Sequence, residues 1–132
     1  MRTIRTEAAP APVAGAPYSQ AVVSDAGATV WVSGQLGVDP GTGALVADDV
    51  RVQTAVALRN LAAILDEAGA GLDTVVKTTV YMTDLGREFA DMNAVYAEAF
   101  SGHAPARATV GVAVLPLGAR VEIEAVAVIA PR

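Results

Sequence analysis

Residues 105–132 read PARATVGVAVLPLGARVEIEAVAVIAPR, and this tail decides the fold. Its composition predicts two strands, at residues 107–114 and 120–129, separated by Pro116-Leu117-Gly118. Along the second, Val121, Ile123, Ala125, Ala127 and Ile129 alternate with Arg120, Glu122, Glu124, Val126 and Val128. One face is wholly apolar; the other carries charge and then becomes apolar again. This pattern assigns the first face to a layer of helices and the second to an interface between subunits. Nothing between Arg107 and Arg120 is ionisable. Apolar strands rarely carry Arg or Glu unless something pairs with the charge. An Arg fork grips a carboxylate at two points, and a Glu can hold or deprotonate a water. Arg107 and Glu122 together point to a site for a small carboxylate that reacts with water.

Upstream, residues 2–6 suggest a short edge strand, and residues 8–17 an Ala/Pro-rich extended connector with few backbone donors. Two β-runs follow at 19–24 and 28–34, joined by Asp25-Ala26-Gly27, with a loop over 37–47. Residues 49–68 have helical periodicity: Val52, Val56, Leu58, Leu61, Leu65 and Ala68 form the stripe, Asp48 or Asp49 the N-cap and Gly69 the C-terminal stop. Residues 73–82 are β-branched and read as a strand. Residues 85–100 form a second helix, capped by Thr83 or Asp84, striped by Phe89, Met92, Tyr96, Ala99 and Phe100, and ended by Gly102 and Pro105. The order β-β-β-α-β-α-β-β predicts an α+β domain over residues 1–132, with one mixed sheet of about six strands and both helices on one face.

The chain is 53% hydrophobic and only 17% charged, more apolar than a small monomer needs, which suggests buried subunit contacts. Its net charge of −5 and lack of any Lys/Arg run argue against nucleic acid. Without cysteine there is no disulfide or thiol chemistry, and one histidine, His103, cannot assemble an ordinary zinc site. His103 itself reads as a solvated loop residue. No segment reaches the apolar length of a membrane helix, and prolines 10, 12 and 17 interrupt the first twenty residues, so neither a membrane span nor a secretory signal is expected. A cytoplasmic protein is the default. Gly69-Ala70-Gly71 follows a helix and not a strand, so it reads as a helix stop; the Gly41–Gly43 loop lacks the Lys-Ser/Thr of a nucleotide loop. Ser19, Ser24, Ser33 and Ser101 lack the Gly-x-Ser-x-Gly setting of a serine nucleophile.

Five runs in order carry a resemblance: Pro17-Tyr18-Ser19-Gln20-Ala21-Val22, Val32-Ser33-Gly34-Gln35, Met92-Asn93-Ala94-Val95-Tyr96, Pro105-Ala106-Arg107-Ala108-Thr109-Val110 and Val121-Glu122-Ile123-Glu124-Ala125. Across nearly its whole length the chain resembles the RidA (YjgF) family of imine and enamine deaminases. The resemblance implies a chorismate-mutase-like fold with the last strand inside the sheet, and a homotrimer with clefts between subunits. It also implies cofactor-free hydrolysis of 2-imino acids, such as 2-iminobutanoate and 2-iminopropanoate, to 2-keto acids and ammonia. Carried over, Arg107 binds the substrate carboxylate and Glu122 positions and polarises the attacking water. Tyr18, Ser33 and Asn93 line the pocket from the neighbouring subunit. The residue two after the arginine is commonly Cys in the family; here Thr109 offers a hydroxyl instead. The Gly that usually precedes Pro-Tyr is displaced here, as Gly15-Ala16-Pro17.

Water adds to an iminium carbon without help from a metal, so orientation, a water and proton handling suffice. Burial would raise the pKa of Glu122 and a nearby Arg would lower it; the residues leave that balance open. Parity puts Glu122 and Glu124 on one side, and only the motif position selects Glu122. Competing roles are an interface pair between Arg107 and Glu124, and a sheet-edge pair between Glu122 and Arg120. A non-catalytic trimer binding a keto or amino acid, and deamination of a different enamine such as 3-aminoacrylate, are alternative functions. Ribonuclease activity, sometimes ascribed to relatives, gains nothing from an acidic surface.

Overall fold

The structure is a computed structural model that describes residues 2–12, 14, 19–24 and 27–129. Strands β1 (Arg2–Ile4), β2 (Ala21–Ser24) and β3 (Thr29–Leu36) precede helix α1 (Val50–Glu67); β4 (Val75–Met82), α2 (Leu85–Ala99), β5 (Ala106–Gly111) and β6 (Val121–Val128) follow. They build one six-stranded sheet in the order β1-β2-β3-β6-β4-β5. The pairing of β4 with β5 is parallel and the other four are antiparallel. A parallel neighbour needs a crossover, and α2 supplies it. The last strand lies between β3 and β4, so both of its backbone edges are paired.

Val121, Ile123, Ala125 and Ala127 of β6 are buried in one core with Leu61, Ile64 and Leu65 of α1 and Met92 and Tyr96 of α2. Both helices therefore cover the same sheet face. The opposite face leaves Trp31 54%, Val110 39% and Val128 40% exposed. No helix among the described residues is long and apolar enough to cross a membrane.

Local chemistry explains the element ends. The Asp49 carboxylate accepts the Val52 amide at 3.0 Å and caps α1, and Gly69 takes φ 80° just beyond it. Asp84 is the N-cap of α2, but its side chain makes no capping hydrogen bond. In the loop after β3, Asp39 accepts the Gly41 amide at 2.8 Å and the Thr42 amide at 3.0 Å, an ordinary turn. The β2–β3 hairpin is present, although Asp25 and Ala26 of its turn lie outside the described residues. Strand β5 stops at Gly111, short of the expected 114, because its partner β4 ends at Met82 and the ladder has nothing further to pair with.

Three readings need correction. Val52, placed in the α1 stripe, is 43% exposed, while Ile64, left out of it, is fully buried. The buried face also contains Gln53, Thr54 and Asn60, which an apolar template passes over. They are buried because they are satisfied: Gln53 donates to the Ala47 carbonyl and accepts the Arg120 amide, both at 2.8 Å. Asn60 donates to the carbonyls of Leu36 at 3.2 Å and Val38 at 2.8 Å. Phe89, assigned to the apolar stripe of α2, is 39% exposed and packs under a guanidinium instead. His103 is exposed yet not simply solvated, since its Nε2 lies 2.6 Å from the Val75 carbonyl.

Candidate active site

Arg107 stands beside Thr78 in the parallel β4–β5 ladder, which puts both side chains on the helix face. The Thr78 hydroxyl is 2.7 Å from the Tyr96 hydroxyl of α2. The Arg107 guanidinium lies 4.6 Å from the Tyr96 ring centre and 5.7 Å from that of Phe89. It donates through Nη1 to the Asn93 Oδ1 at 2.8 Å. Aromatic stacking and one amide thus fix the plane of the fork while leaving other N–H groups to donate. Among the described residues no carboxylate forms an ion pair with Arg107. Thr109 lies two residues along the same strand face, and its buried hydroxyl has no hydrogen-bond partner. Burial pushes the Tyr96 phenol up, against the lowering effects of the Thr78 hydrogen bond and the Arg107 charge.

Glu122 lies opposite Tyr81 in β4 and Leu36 in β3, on the face away from the helices. The β3–β6 register shifts between Val32 and Gln35, a bulge that holds Ser33 and Gly34 beside the two carboxylates. A Cβ on Gly34 would stand 2.5 Å from the Glu122 Oε1, so only glycine leaves room for this carboxyl. The Tyr81 hydroxyl donates to Glu124 at 2.8 Å. Glu122 is pushed above the ordinary carboxylate range, first by burial and then by the charge of Glu124. Tyr81 is raised chiefly because its proton is held by Glu124, with burial adding to it. Ser33 Oγ donates to the Ser19 carbonyl. Ser33, Gly34, Glu122 and Glu124 line a cavity of about 850 Å³ that continues past Leu36 and Leu117.

The candidate residues therefore divide into two sets. Arg107, Asn93 and Thr109 share the helix face; Glu122 and Ser33 share the other. Arg107 and Glu122 of one chain cannot act on one small molecule, because the sheet itself lies between them. Asn93, expected to come from the neighbouring subunit, is instead bonded to Arg107 of its own chain, because the β4–α2–β5 crossover lays α2 over β5. Tyr18 lies outside the described residues. A sheet-edge pair of Glu122 with Arg120 does not form: Arg120 donates to Asp48 at 2.8 Å and Glu88 at 3.1 Å. These two bonds also raise the Arg120 pKa. No cluster of His, Cys, Asp or Glu among the described residues is arranged to hold a metal.

Three contributors escaped the sequence. Gly34 stood in a matched run but was given no role, although a glycine inside a strand signals close approach of another group. Tyr81 was read only as a strand residue. Gln20 is buried and clamps the Ala/Pro connector at the cavity edge, donating to the carbonyls of Thr6 at 3.0 Å, Ala9 at 3.2 Å and Pro10 at 2.8 Å. Its presence in the Tyr18-Ser19-Gln20-Ala21 run was the available signal.

Residues 6–129 match the family model described as Endoribonuclease L-PSP. The chain belongs to this family, that of the RidA (YjgF) proteins. Among RidA relatives, the 2-iminobutanoate/2-iminopropanoate deaminase of Mus musculus is 49% identical over 121 residues, covering 92% of this chain and 87% of that one. E. coli TdcF, solved with bound serine, superposes with a TM-score of 0.89 at 41% identity over 98% of this chain and all (100%) of the other. RidA from an Antarctic Psychrobacter gives the same TM-score of 0.89 at 44% identity, with 98% and 100% covered. Of the RidA runs quoted from the sequence, the Arg107 run lies on β5, the Glu122 run on β6 and the Gly34 run at the bulge.

Proposed function

We propose that this protein is a hydrolytic deaminase of small 2-imino acids, assembled as a homotrimer with its sites between subunits. The observation that carries the reading is the division of the candidate residues. A half-buried, aromatic-backed arginine without a carboxylate partner among the described residues stands on one sheet face, and a desolvated glutamate on the other. Only a second copy of the chain can bring an Arg107 to a Glu122. The uncovered face, with Trp31, Val110 and Val128 exposed, supplies apolar surface for such an assembly. The mammalian relatives named as 2-iminobutanoate/2-iminopropanoate deaminases support the substrate class.

In this reading the Arg107 fork grips the substrate carboxylate, and the orphaned Thr109 hydroxyl supplies a further hydrogen bond beside it. Tyr18 and Ser33 line the pocket from the neighbouring subunit. Ionised Glu122 takes a proton from water as the oxygen bonds to the iminium carbon, giving a carbinolamine. Glu122 returns that proton to the nitrogen; the C–N bond then breaks as Glu122 takes the carbinolamine hydroxyl proton, leaving a 2-keto acid and ammonia, and that proton leaves on ammonia as ammonium. A carboxylate whose pKa is raised toward neutrality is the stronger base for the first step. The Gly34 gap keeps it in place.

The test couples a threonine dehydratase to the protein and follows loss of the imine by semicarbazide trapping. Wild-type protein should deplete 2-iminobutanoate, and Arg107→Ala should not. An equal rate with and without the protein would refute the reading. A second reading has a specific observation in its favour: TdcF was solved with serine bound, and in this reading the present chain likewise holds an amino or keto acid, through Arg107, without turnover. Turnover by the wild-type protein decides between them: the first reading predicts it, and its loss with binding kept in Glu122→Gln, while the second predicts binding alone. Cleavage of RNA is not favoured by a chain of net charge −5.

A further inference from the structure

Glu124 repeats the chemistry of Glu122 two residues on, and the reaction as drawn above does not use it. In an extended strand such side chains share a face, with Cα atoms about 7 Å apart. Both line the larger cavity, where they are the only ionisable residues among those described. Glu124 also lines a smaller cavity of about 370 Å³, together with Trp31, Lys77 and Thr79. Two carboxylates so placed repel each other, and a cation beside them would cancel the effect. Among the described residues neither glutamate forms an ion pair, and Lys77, on the same sheet face, does not bridge to Glu124. The partner that Glu124 does have is neutral: the Tyr81 hydroxyl donates to its Oε1 at 2.8 Å. A neutral donor fixes a carboxylate in place and leaves its charge uncancelled. Tyr81 stands opposite Glu122 in the β4–β6 ladder, so one residue faces the first carboxylate and holds the second. Strand β3 adds no charge here, with Ser33, Gly34, Gln35 and Leu36, and neither do Pro10 and Ala11 of the connector.

We propose that Glu124 is a positioning residue for the reaction, held by Tyr81 and acting through Glu122 by setting an uncompensated negative charge beside it. This rests on the deaminase reading above and deepens it. Uptake of a proton by Glu122 relieves the repulsion between the two carboxylates, so the charge of Glu124 favours proton transfer from water to Glu122. The direction in which Glu122 is displaced, by burial and then by Glu124, agrees with this. In the assembled site Arg107 of the neighbouring copy also faces Glu122; it and Lys77 are the same in every variant below. Glu124→Gln removes the charge and keeps an oxygen to accept the Tyr81 hydroxyl, whereas Glu124→Asp keeps the charge. Glutamate labelled with carbon-13 at the side-chain carboxyl reports the titration of Glu122, whose resonance is identified by its absence from Glu122→Gln. That titration should move down by about one pH unit in Glu124→Gln and lie nearer wild type in Glu124→Asp. The acid limb of kcat/KM for 2-iminobutanoate should move with it, since the ionisation of the imine is common to all three proteins. A merely structural role would lower the rate and leave the limb in place. The proposal is overturned if Glu122 titrates in Glu124→Gln as in wild type, if the limb stays put, or if Glu124→Asp shifts as far as Glu124→Gln. Wild-type protein that accelerates loss of no imine would sink the deaminase reading, while the carbon-13 titration would still decide whether Glu124 acts on Glu122.

Discussion

Gly34→Ala isolates the position of Glu122 from its chemistry. An added Cβ would lie 2.5 Å from the Glu122 Oε1, 2.8 Å from its Cδ and 3.0 Å from its Cγ. Ordinary contacts of this kind are about 3.5 Å, so the carboxyl must retreat by about 1 Å. The atoms in the way are the far end of a flexible side chain, and Gly34 is not among the positive-φ glycines. The fold should therefore absorb the change for under about 1 kcal/mol. The reaction should not, since a reacting group displaced by about 1 Å costs on the order of 100-fold in rate, about 2.7 kcal/mol. Turnover of 2-iminobutanoate, measured with thermal unfolding, should show kcat down about 100-fold and Tm within a few degrees of wild type. A control sits three residues away. A Cβ on Gly37 would meet the Gln53 Cα, helix backbone, at 2.5 Å. Gly37→Ala should thus cost about 1–3 kcal/mol of stability, because packed backbone cannot step aside. Wild-type kcat in Gly34→Ala would refute the assignment of Glu122 as the group that handles water.

Other outcomes follow from the same geometry. Arg107→Lys keeps the charge but loses the planar fork and its stacking on Tyr96, so affinity for a 2-keto acid should fall by about 2–5 kcal/mol in a calorimetric titration; unchanged affinity would rule out two-point capture. Thr109→Val replaces an unsatisfied buried hydroxyl with a methyl group. The free protein should be as stable or more stable, while 2-keto acids bind about 0.5–1.5 kcal/mol more weakly; equal binding would show that the hydroxyl meets no ligand. Glu122→Gln should lose turnover and gain stability. Because the folded-state pKa of Glu122 is raised, the native chain holds a proton that the unfolded chain has already released, and wild-type stability falls as pH rises from the ordinary glutamate range through the folded value. The variant should unfold at higher temperature than wild type at neutral pH, with the gap closing toward about pH 4. A gap that does not depend on pH would mean that Glu122 is not desolvated.

The alternation of Val121 to Val128 disclosed the faces of β6, and the Asp49 and Gly69 ends of α1 were readable as local chemistry. Such signals need only neighbours in sequence. Gln53 and Asn60 were not readable as core, because what makes them buriable is a set of carbonyls and an amide from distant segments. The relation of Arg107 to Glu122 was hidden for a similar reason. The face of Glu122 followed from the alternation of its own strand, but that of Arg107 depends on the register of β5 against β4, which sets it beside Thr78. That long-range pairing leaves no mark in the sequence of β5. The role of Gly34 required the same knowledge, since its gap has meaning only once the bulge has set Glu122 above it.

The most direct test co-expresses two inactive chains, Arg107→Ala and Glu122→Gln. If a site takes its arginine from one copy and its glutamate from the next, random mixing in equal amounts leaves about a quarter of the sites with both native residues, and activity should return to about that fraction of wild type. Mixed trimers with no activity would contradict a site shared between subunits.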